Sequence, residues 1–403
     1  MKPRIAAVAR GMRDGWLILG VVLLIYMSLE GLYRLQGAAR TALARTESIP
    51  SAHPYRDSAW YPEYLQEHEA SLVLQWKPYV YFRRLPFRGK HINVDSMRHR
   101  VTVQPAVTQG DAREIFFFGG STMWGDYQRD VNTIPSVVAA SLASAGVPVV
   151  AINFGESGYV FTQSILELIM QLRAGARPDV VVFYDGINDV AAGVQSRQGG
   201  MPQNEFNRMD EFELGRALRG NETGHSVGAD LRAFTRLALK GAERSQLFKR
   251  VGRAARRPAD TSGFQADSIA QRVADVYLGM VEVTEALSKQ FGFKALYVWQ
   301  PNLQTTRKKT SPFELSLLTN VTSTPFGQQL TALHQRLPAL LGSTMAQKVA
   351  GRYADLSRLF DASDRPVYVD NIGHTTEEAT REISQHIARL LLSHAFAQAG
   401  GSN

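Results

Sequence analysis

From Glu114 onward the chain alternates short apolar runs with longer stretches whose apolar residues recur at helical spacing. Residues 115–118, then "VPVVAINFG", "PDVVVFYDG" and, after a long gap, "KALYVWQP" are short, rich in β-branched and aromatic residues, and bounded by Gly, Pro or Asp, so each reads as a buried strand. Between the first two, "TIPSVVAASLASAG" reads as a helix ended by Gly146, and between the next two "QSILELIMQLRAG" does the same. Strands that alternate with helices predict an α/β fold with a central parallel sheet and helices on both faces.

The gap between Gly186 and Lys294 exceeds a hundred residues, far beyond an ordinary loop of such a unit, and must carry structure of its own. Within this insertion, at about residues 191–290, "RQGGMPQNEF" reads as a loop and "ADLRAFTRLALKGAERSQLFKRVGRAARR" as a basic amphipathic helix. "ADSIAQRVADVYLGMVEVTEALSKQFG" reads as the packed helix that precedes the fourth strand.

At the N-terminus Lys2, Arg4, Arg10 and Arg13 precede the apolar run "WLILGVVLLIYMSL". A basic flank before an apolar run predicts export or anchoring. Residues 1–34 are therefore expected to form an uncleaved single-pass transmembrane anchor with a cytoplasmic tip, and the rest of the chain to be extracytoplasmic, periplasmic in a Gram-negative cell. A cleaved signal peptide is the alternative, although the Ala42-Leu43-Ala44 pattern lies far beyond the apolar run. Residues 35–59 read as a tether, 60–111 as an extension packed on the main domain, and 112–398 as that domain.

With 403 residues and 44% hydrophobic content the chain can fill a real core. Its formal charge of +8 is local, because between Arg232 and Arg257 nine basic residues face Glu243 alone. Such a segment suits a solvated helix face, a contact with anionic membrane headgroups, or a guide for an acidic polymer; nucleic acid is not an expected partner. The absence of cysteine rules out a disulfide framework and a thiolate metal site.

Each expected strand ends in a suggestive residue. Ser121 follows "IFFFGG", Gly155 and Gly158 stand in "NFGESGYV", Asn188 and Asp189 in "YDGINDV", and Asp370 and His374 precede the helix that closes the domain. In a parallel sheet these loops converge on one rim. Acyl transfer needs such a set: a hydroxyl nucleophile, an imidazole to take its proton, and donors for the oxyanion. Ser121, His374, the Gly158 N–H and the Asn188 amide fit those roles. Singly, each has an ordinary explanation as a turn or cap residue; their joint order is what carries the reading. Ser157 is a rival nucleophile. Asp185 and Asp189 read as residues that shape the asparagine loop, with no metal-ligand spacing, and no cofactor is expected.

"FFGGSTMWG", "NFGESG", "GIND" and "D-N-I-G-H" resemble, in order and spacing, the four sequence blocks of the SGNH (GDSL-type) hydrolases, over roughly residues 112–395, with membrane-anchored bacterial members as the nearest likeness. The resemblance implies a flavodoxin-like three-layer sandwich with Ser121 as nucleophile and His374 as base. It also implies an oxyanion hole made of the Ser121 backbone N–H, Gly158 and Asn188. The G-x-S-x-G elbow of α/β-hydrolases is absent around Ser121. The family's acid usually stands three residues before the histidine, but Asn371 occupies that position here and Asp370 stands four before. Either Asp370 still reaches His374, with Gly373 bulging the loop, or another group such as a backbone carbonyl orients the imidazole. "EEAT" after the histidine, where many members carry Gly-Asn, reads as helix-start detail. The expected activity is that of an extracytoplasmic serine esterase acting on a small acyl ester, with an O-acetyl group on a glycan as substrate. Its rivals are an O-acyltransferase on a cell-envelope polysaccharide, a lipid or thioester hydrolase, and a non-catalytic glycan-binding scaffold.

Overall fold

The computed structural model describes residues 15–17, 20–21, 23–32, 34–36, 49–106, 112–203, 205, 208–209, 211–212, 215 and 263–396. The basic segment between Arg232 and Arg257 lies outside them, as does most of the insertion before Thr261. Two compact units are present, residues 1–51 with 206–260, and residues 52–205 with 261–403; the second holds the sheet.

The expected membrane anchor requires correction. Among the described residues no helix is long and apolar enough to cross a membrane. The physical reason is visible in the N-terminal segment. An apolar run of 14 residues rises about 21 Å as a helix, short of a hydrocarbon core of about 30 Å. Its continuation carries charge, with Arg34 Nε donating to Glu30 Oε1 at 2.8 Å. The single-pass topology and the extracytoplasmic placement built on it fall with the anchor.

In the second unit the chain opens with α1 (Tyr61–Ser71), the hairpin β1 (Leu74–Lys77) with β2 (Tyr81–Arg84), and the short antiparallel pair β3 (Phe87–Arg88) and β4 (Asn93–Val94). There follow β5 (Arg113–Gly119), α2 (Ser121–Trp124), α3 (Ile134–Ser144), β6 (Val149–Asn153), α4 (Phe161–Arg173), β7 (Val180–Asp185) and α5 (Ile187–Ser196). After the insertion come α6 (Ala266–Phe291), β8 (Lys294–Trp299), α7 (Pro312–Thr322), α8 (Pro325–Val349), β9 (Tyr353–Asp355) and α9 (Glu377–Leu390).

Strands β5 to β9 form a parallel five-stranded sheet in the order β6-β5-β7-β8-β9. Counted along the chain this is 2-1-3-4-5, the order of flavodoxin-like sheets, whose switch point lies between the first and third strands. Here that point is the gap between the carboxyl ends of β5 and β7. The four strands expected from the sequence are present. The fifth, β9, was not expected, because its three residues are only partly buried at the sheet edge and carry no apolar run.

The alternation of side chains across a strand divides the core into two layers. Phe116, Phe118, Val181 and Phe183 face α4, α5, α6 and α8. Ile115, Phe117, Val180 and Val182 face α3 and α9. Both faces of β5 and β7 are thus covered, which explains why these strands read as unbroken apolar runs. Each such side chain contributes about 1.5–3 kcal/mol of burial.

The segment before β5 is joined to the domain by buried arginines as well as by ring contacts such as Phe82 on Tyr159. Arg83 donates to the carbonyls of Phe154 and Gly155 at 2.7 and 3.0 Å. Arg100 reaches Asp130 at 2.6 Å and forms a β-bridge with Asn153 at the end of β6. Both are almost fully buried, so their partners offset a large desolvation cost. Tyr55, inside the stretch read as a tether, is also buried, and its hydroxyl accepts from the Glu377 N–H at 2.5 Å.

Candidate active site

Strand β5 ends where Gly119 and Gly120 turn the chain, and Ser121 is the first residue of α2, so its N–H has no acceptor within the helix. Its Oγ lies 2.7 Å from His374 Nε2. His374 leaves a tight turn clamped by two bonds, Val369 N–H to the His374 carbonyl at 3.0 Å and Thr376 N–H to the Val367 carbonyl at 2.7 Å. Inside that turn the Asp370 carboxylate does two jobs. Oδ1 accepts the N–H groups of Ile372, Gly373 and His374 at 2.9, 3.1 and 3.1 Å, and Oδ2 meets His374 Nδ1 at 2.5 Å.

The extra residue between acid and base is accommodated by backbone conformation. Gly373 has φ of +110°, a backbone conformation that calls for glycine. Of the two alternatives left open above, the geometry places Asp370 on the imidazole. Just after the histidine Thr376 caps α9, accepting from Ala379 N–H at 3.3 Å, while Glu377 takes the guanidinium of Arg129.

Charge follows from these contacts. Burial pushes the Asp370 carboxyl up, but the His374 charge and the hydrogen bonds from the ring and the backbone outweigh it, leaving it below its ordinary value. Burial pushes the His374 imidazolium down, and Asp370, with a further contribution from Asp126, more than reverses this, so its pKa is raised. An ionised Asp370 accepts the Nδ1 proton, which leaves Nε2 to accept from the Ser121 hydroxyl.

Gly158 stands in the loop after β6, and Asn188 at the start of α5, just after β7. Gly158 turns with φ of +80°, and among the described residues no backbone carbonyl takes its N–H. Asn188 is oriented from two sides, Nδ2 donating to the Tyr159 carbonyl at 2.9 Å and Oδ1 accepting from Gln203 Nε2 at 3.1 Å. Its second N–H lies against Gly120, where a Cβ would fall 2.0 Å from Nδ2. Glycine at 120 is what lets the amide come so near Ser121. We expect Asn188→Ala to lower kcat by about 10² to 10³ with KM little changed, the effect of losing one oxyanion donor; a steady-state assay on a simple ester checks it, and an undiminished kcat contradicts it.

Other residues at the rim were not anticipated. Gln300, at the end of β8, donates to Thr122 Oγ1 at 2.5 Å and to the Tyr184 carbonyl at 3.1 Å, and accepts from Ile187 N–H at 3.0 Å, tying the serine loop to the asparagine loop. Asp126, five residues after Ser121, places Oδ2 3.8 Å from His374 Nε2. Its Oδ1 accepts from His68 Nε2 at 3.0 Å and Arg84 Nη2 at 3.2 Å. Sequence signals for these were weak: a glutamine after a strand, an aspartate after a glycine, an arginine in an aromatic hairpin.

Ser157, the rival nucleophile, has no imidazole on it. Its hydroxyl donates to Asp126 Oδ2 at 3.1 Å and accepts from Arg84 Nη2 at 2.5 Å. Asp185 and Asp189 lie beneath the asparagine loop and are buried. Asp189 Oδ1 accepts from Phe161 N–H at 3.0 Å. Burial pushes Asp189 up to about 7 and Asp185 well above the carboxylate range.

These residues define a serine–histidine–aspartate site at the carboxyl rim of a parallel sheet, at its switch point. The chain is similar to the solved structure of an acetyl xylan esterase at 12% identity, over 70% of this chain and 98% of that one, with a TM-score of 0.35. It is similar to a mutant of Axe2, an acetyl-xylooligosaccharide esterase from Geobacillus Stearmophilus, at 12% identity, over 71% and 95%, with a TM-score of 0.34. It is also similar to a member of the lipolytic protein G-D-S-L family from Veillonella parvula at 14% identity, over 70% and 98%, with a TM-score of 0.34. No protein-family model matches the chain, and no curated protein does.

Proposed function

We propose that the protein is a serine esterase of the SGNH type that cleaves a small acyl ester, with an O-acetyl group on a glycan as the substrate class. The observation that carries the reading is the continuous chain from Asp370 through His374 to the Ser121 hydroxyl, with the Asn188 amide beside Gly120. In this reading Ser121 Oγ attacks the acyl carbon while its proton passes to His374 Nε2. The carbonyl oxygen becomes an oxyanion facing the N–H groups of Ser121, Gly158 and Asn188. Collapse breaks the ester C–O bond as His374 returns the proton to the departing alcohol. Water, deprotonated by the same imidazole, then attacks the acyl-enzyme, and the acid leaves as the bond from the acyl carbon to Ser121 Oγ breaks and His374 returns the proton to the serine.

The preference for a small acyl group rests on the sequence resemblance and is consistent with the low exposure of Ser121, 8%. The glycan is chosen on the sequence resemblance. The test is labelling by a fluorophosphonate probe together with a p-nitrophenyl ester series from acetate to dodecanoate. We expect labelling of the wild type, no labelling of Ser121→Ala, and turnover that falls as the acyl chain lengthens. An unlabelled wild type would leave the scaffold reading in its place, and acyl groups appearing on an added sugar faster than free acid would turn the reading to a transferase.

A further inference from the structure

The N-terminal extension contributes more than cover. The Asp126 carboxylate is nearly buried and stands next to the imidazole nitrogen that receives the serine proton, on a different side from Asp370. It is assembled from three elements. His68 comes from α1, Arg84 from β2, and Ser157 from the loop after β6. Because a carboxylate only accepts, His68 Nε2 and Ser157 Oγ are donors here.

We propose that Asp126 is a second carboxylate partner of the base histidine, held in place by the N-terminal extension, and that it stabilises the His374 imidazolium from the side on which Ser121 delivers its proton. The proposal deepens the esterase reading and rests on it for any effect on turnover.

Arg84 does not cancel this charge at His374. Its guanidinium is shared, with Nε 3.3 Å from Glu156 Oε1 and Nη2 3.2 Å from Asp126 Oδ1, so one cation serves two carboxylates. It also lies over the Trp124 ring at 3.5 Å. The cluster of Arg84, Asp126 and Glu156 therefore retains a net negative charge when both carboxylates are ionised, and Asp126 is its member nearest the imidazole nitrogen. Burial pushes the Asp126 carboxyl up, while the hydrogen bond from His68 and the charges of Arg84 and His374 pull it well below the ordinary range.

The titratable and charged groups around His374 are Asp370 on its own turn, Asp126 and Tyr127 after α2, and Arg84 from β2. His68 stands behind Asp126, and Tyr61 and His53 lie in the field of Asp370. Among these, Asp126 and Asp370 are the groups that favour the protonated ring.

The experiment follows the ring directly. The full chain, labelled at histidine Cε1, is titrated by NMR as Ser121→Ala and as Ser121→Ala with Asp126→Asn; the His374 signal is assigned by its loss in His374→Gln. Removing a negative charge beside an imidazolium lowers its pKa, so the His374 midpoint is expected to fall by about half a unit to one unit. In the active Asp126→Asn enzyme the acid limb of kcat/KM for p-nitrophenyl acetate moves down alike. There kcat falls up to about tenfold, one pKa unit corresponding to a factor of ten. Asp126→Ser, small enough to leave Arg84 on Glu156, repeats the test should the asparagine variant not fold. A His374 midpoint that stays put in the folded variant overturns the proposal even if turnover drops, since a merely structural role lowers activity without moving the titration. A midpoint that falls in a chain inactive on every ester tested supports the pairing of Asp126 with His374 and removes the esterase reading.

Discussion

Ser121→Ala is expected to lower ester turnover by about six orders of magnitude, the loss seen when a serine–histidine–aspartate triad is deprived of its nucleophile or base. Two features of the geometry make this the sharpest expectation. Among the described residues the hydroxyl bonds only to His374 Nε2, at 2.7 Å, so its deletion leaves their other hydrogen bonds intact. The rival hydroxyl, Ser157, is committed to Asp126 and Arg84 and has no imidazole on it. The melting temperature is therefore expected within a few degrees of wild type, against a loss of labelling and of p-nitrophenyl acetate hydrolysis. Retention of wild-type rate by a folded Ser121→Ala protein would sink the esterase reading outright.

Asp370→Asn is expected to lower kcat by about 10⁴ while leaving the fold in place, the magnitude set by loss of the correct imidazole tautomer. The asparagine keeps one carbonyl oxygen, and three backbone N–H groups of residues 372–374 compete for it. That binding turns the amide NH₂ toward His374 Nδ1. Donation from the amide forces the ring proton onto Nε2, where it can no longer accept from Ser121. The pH profile supplies the second readout. On the proposed mechanism the working base is the neutral ring, and its pKa is raised, so turnover is expected to be lost as pH falls through a midpoint above the ordinary histidine value. Loss of the Asp370 charge lowers that midpoint, and by more than loss of Asp126, whose distance to the ring is 3.8 Å against 2.5 Å. Unaltered kcat with an unaltered acid limb would show that another group orients the imidazole.

Much of the sheet was legible because β5 and β7 are covered on both faces, which calls for apolar side chains throughout their buried middles, Ile115 to Phe118 and Val180 to Phe183. The edge strand β9 escaped for the opposite reason: an edge needs few apolar residues, and Tyr353, Ala354 and Asp355 supply almost none. The apolar run near the N-terminus was misleading because composition registers hydrophobicity without the continuous length a span requires. At the site, Ser121, Gly158 and Asn188 stood out through their places at strand ends, and Asp370 and His374 through their place before the closing helix. Asp126, Arg84, His68 and Gln300 did not, since each is an ordinary polar residue until the chain brings it to the others.

By itself the sequence determined the α/β alternation, the carboxyl rim where the chemistry gathers, and the residue types available there, because burial and backbone turning act locally on short stretches of chain. Tertiary structure alone decided that Asp370, from one residue too far, closes on His374 through the turn at Gly373. It also decided that His68 and Arg84, from a segment with no legible role, surround Asp126 beside the imidazole. The contacts around Asp126 join residues tens to hundreds of positions apart, and the energies of both sets depend on distance and desolvation, quantities that exist only once the chain has folded.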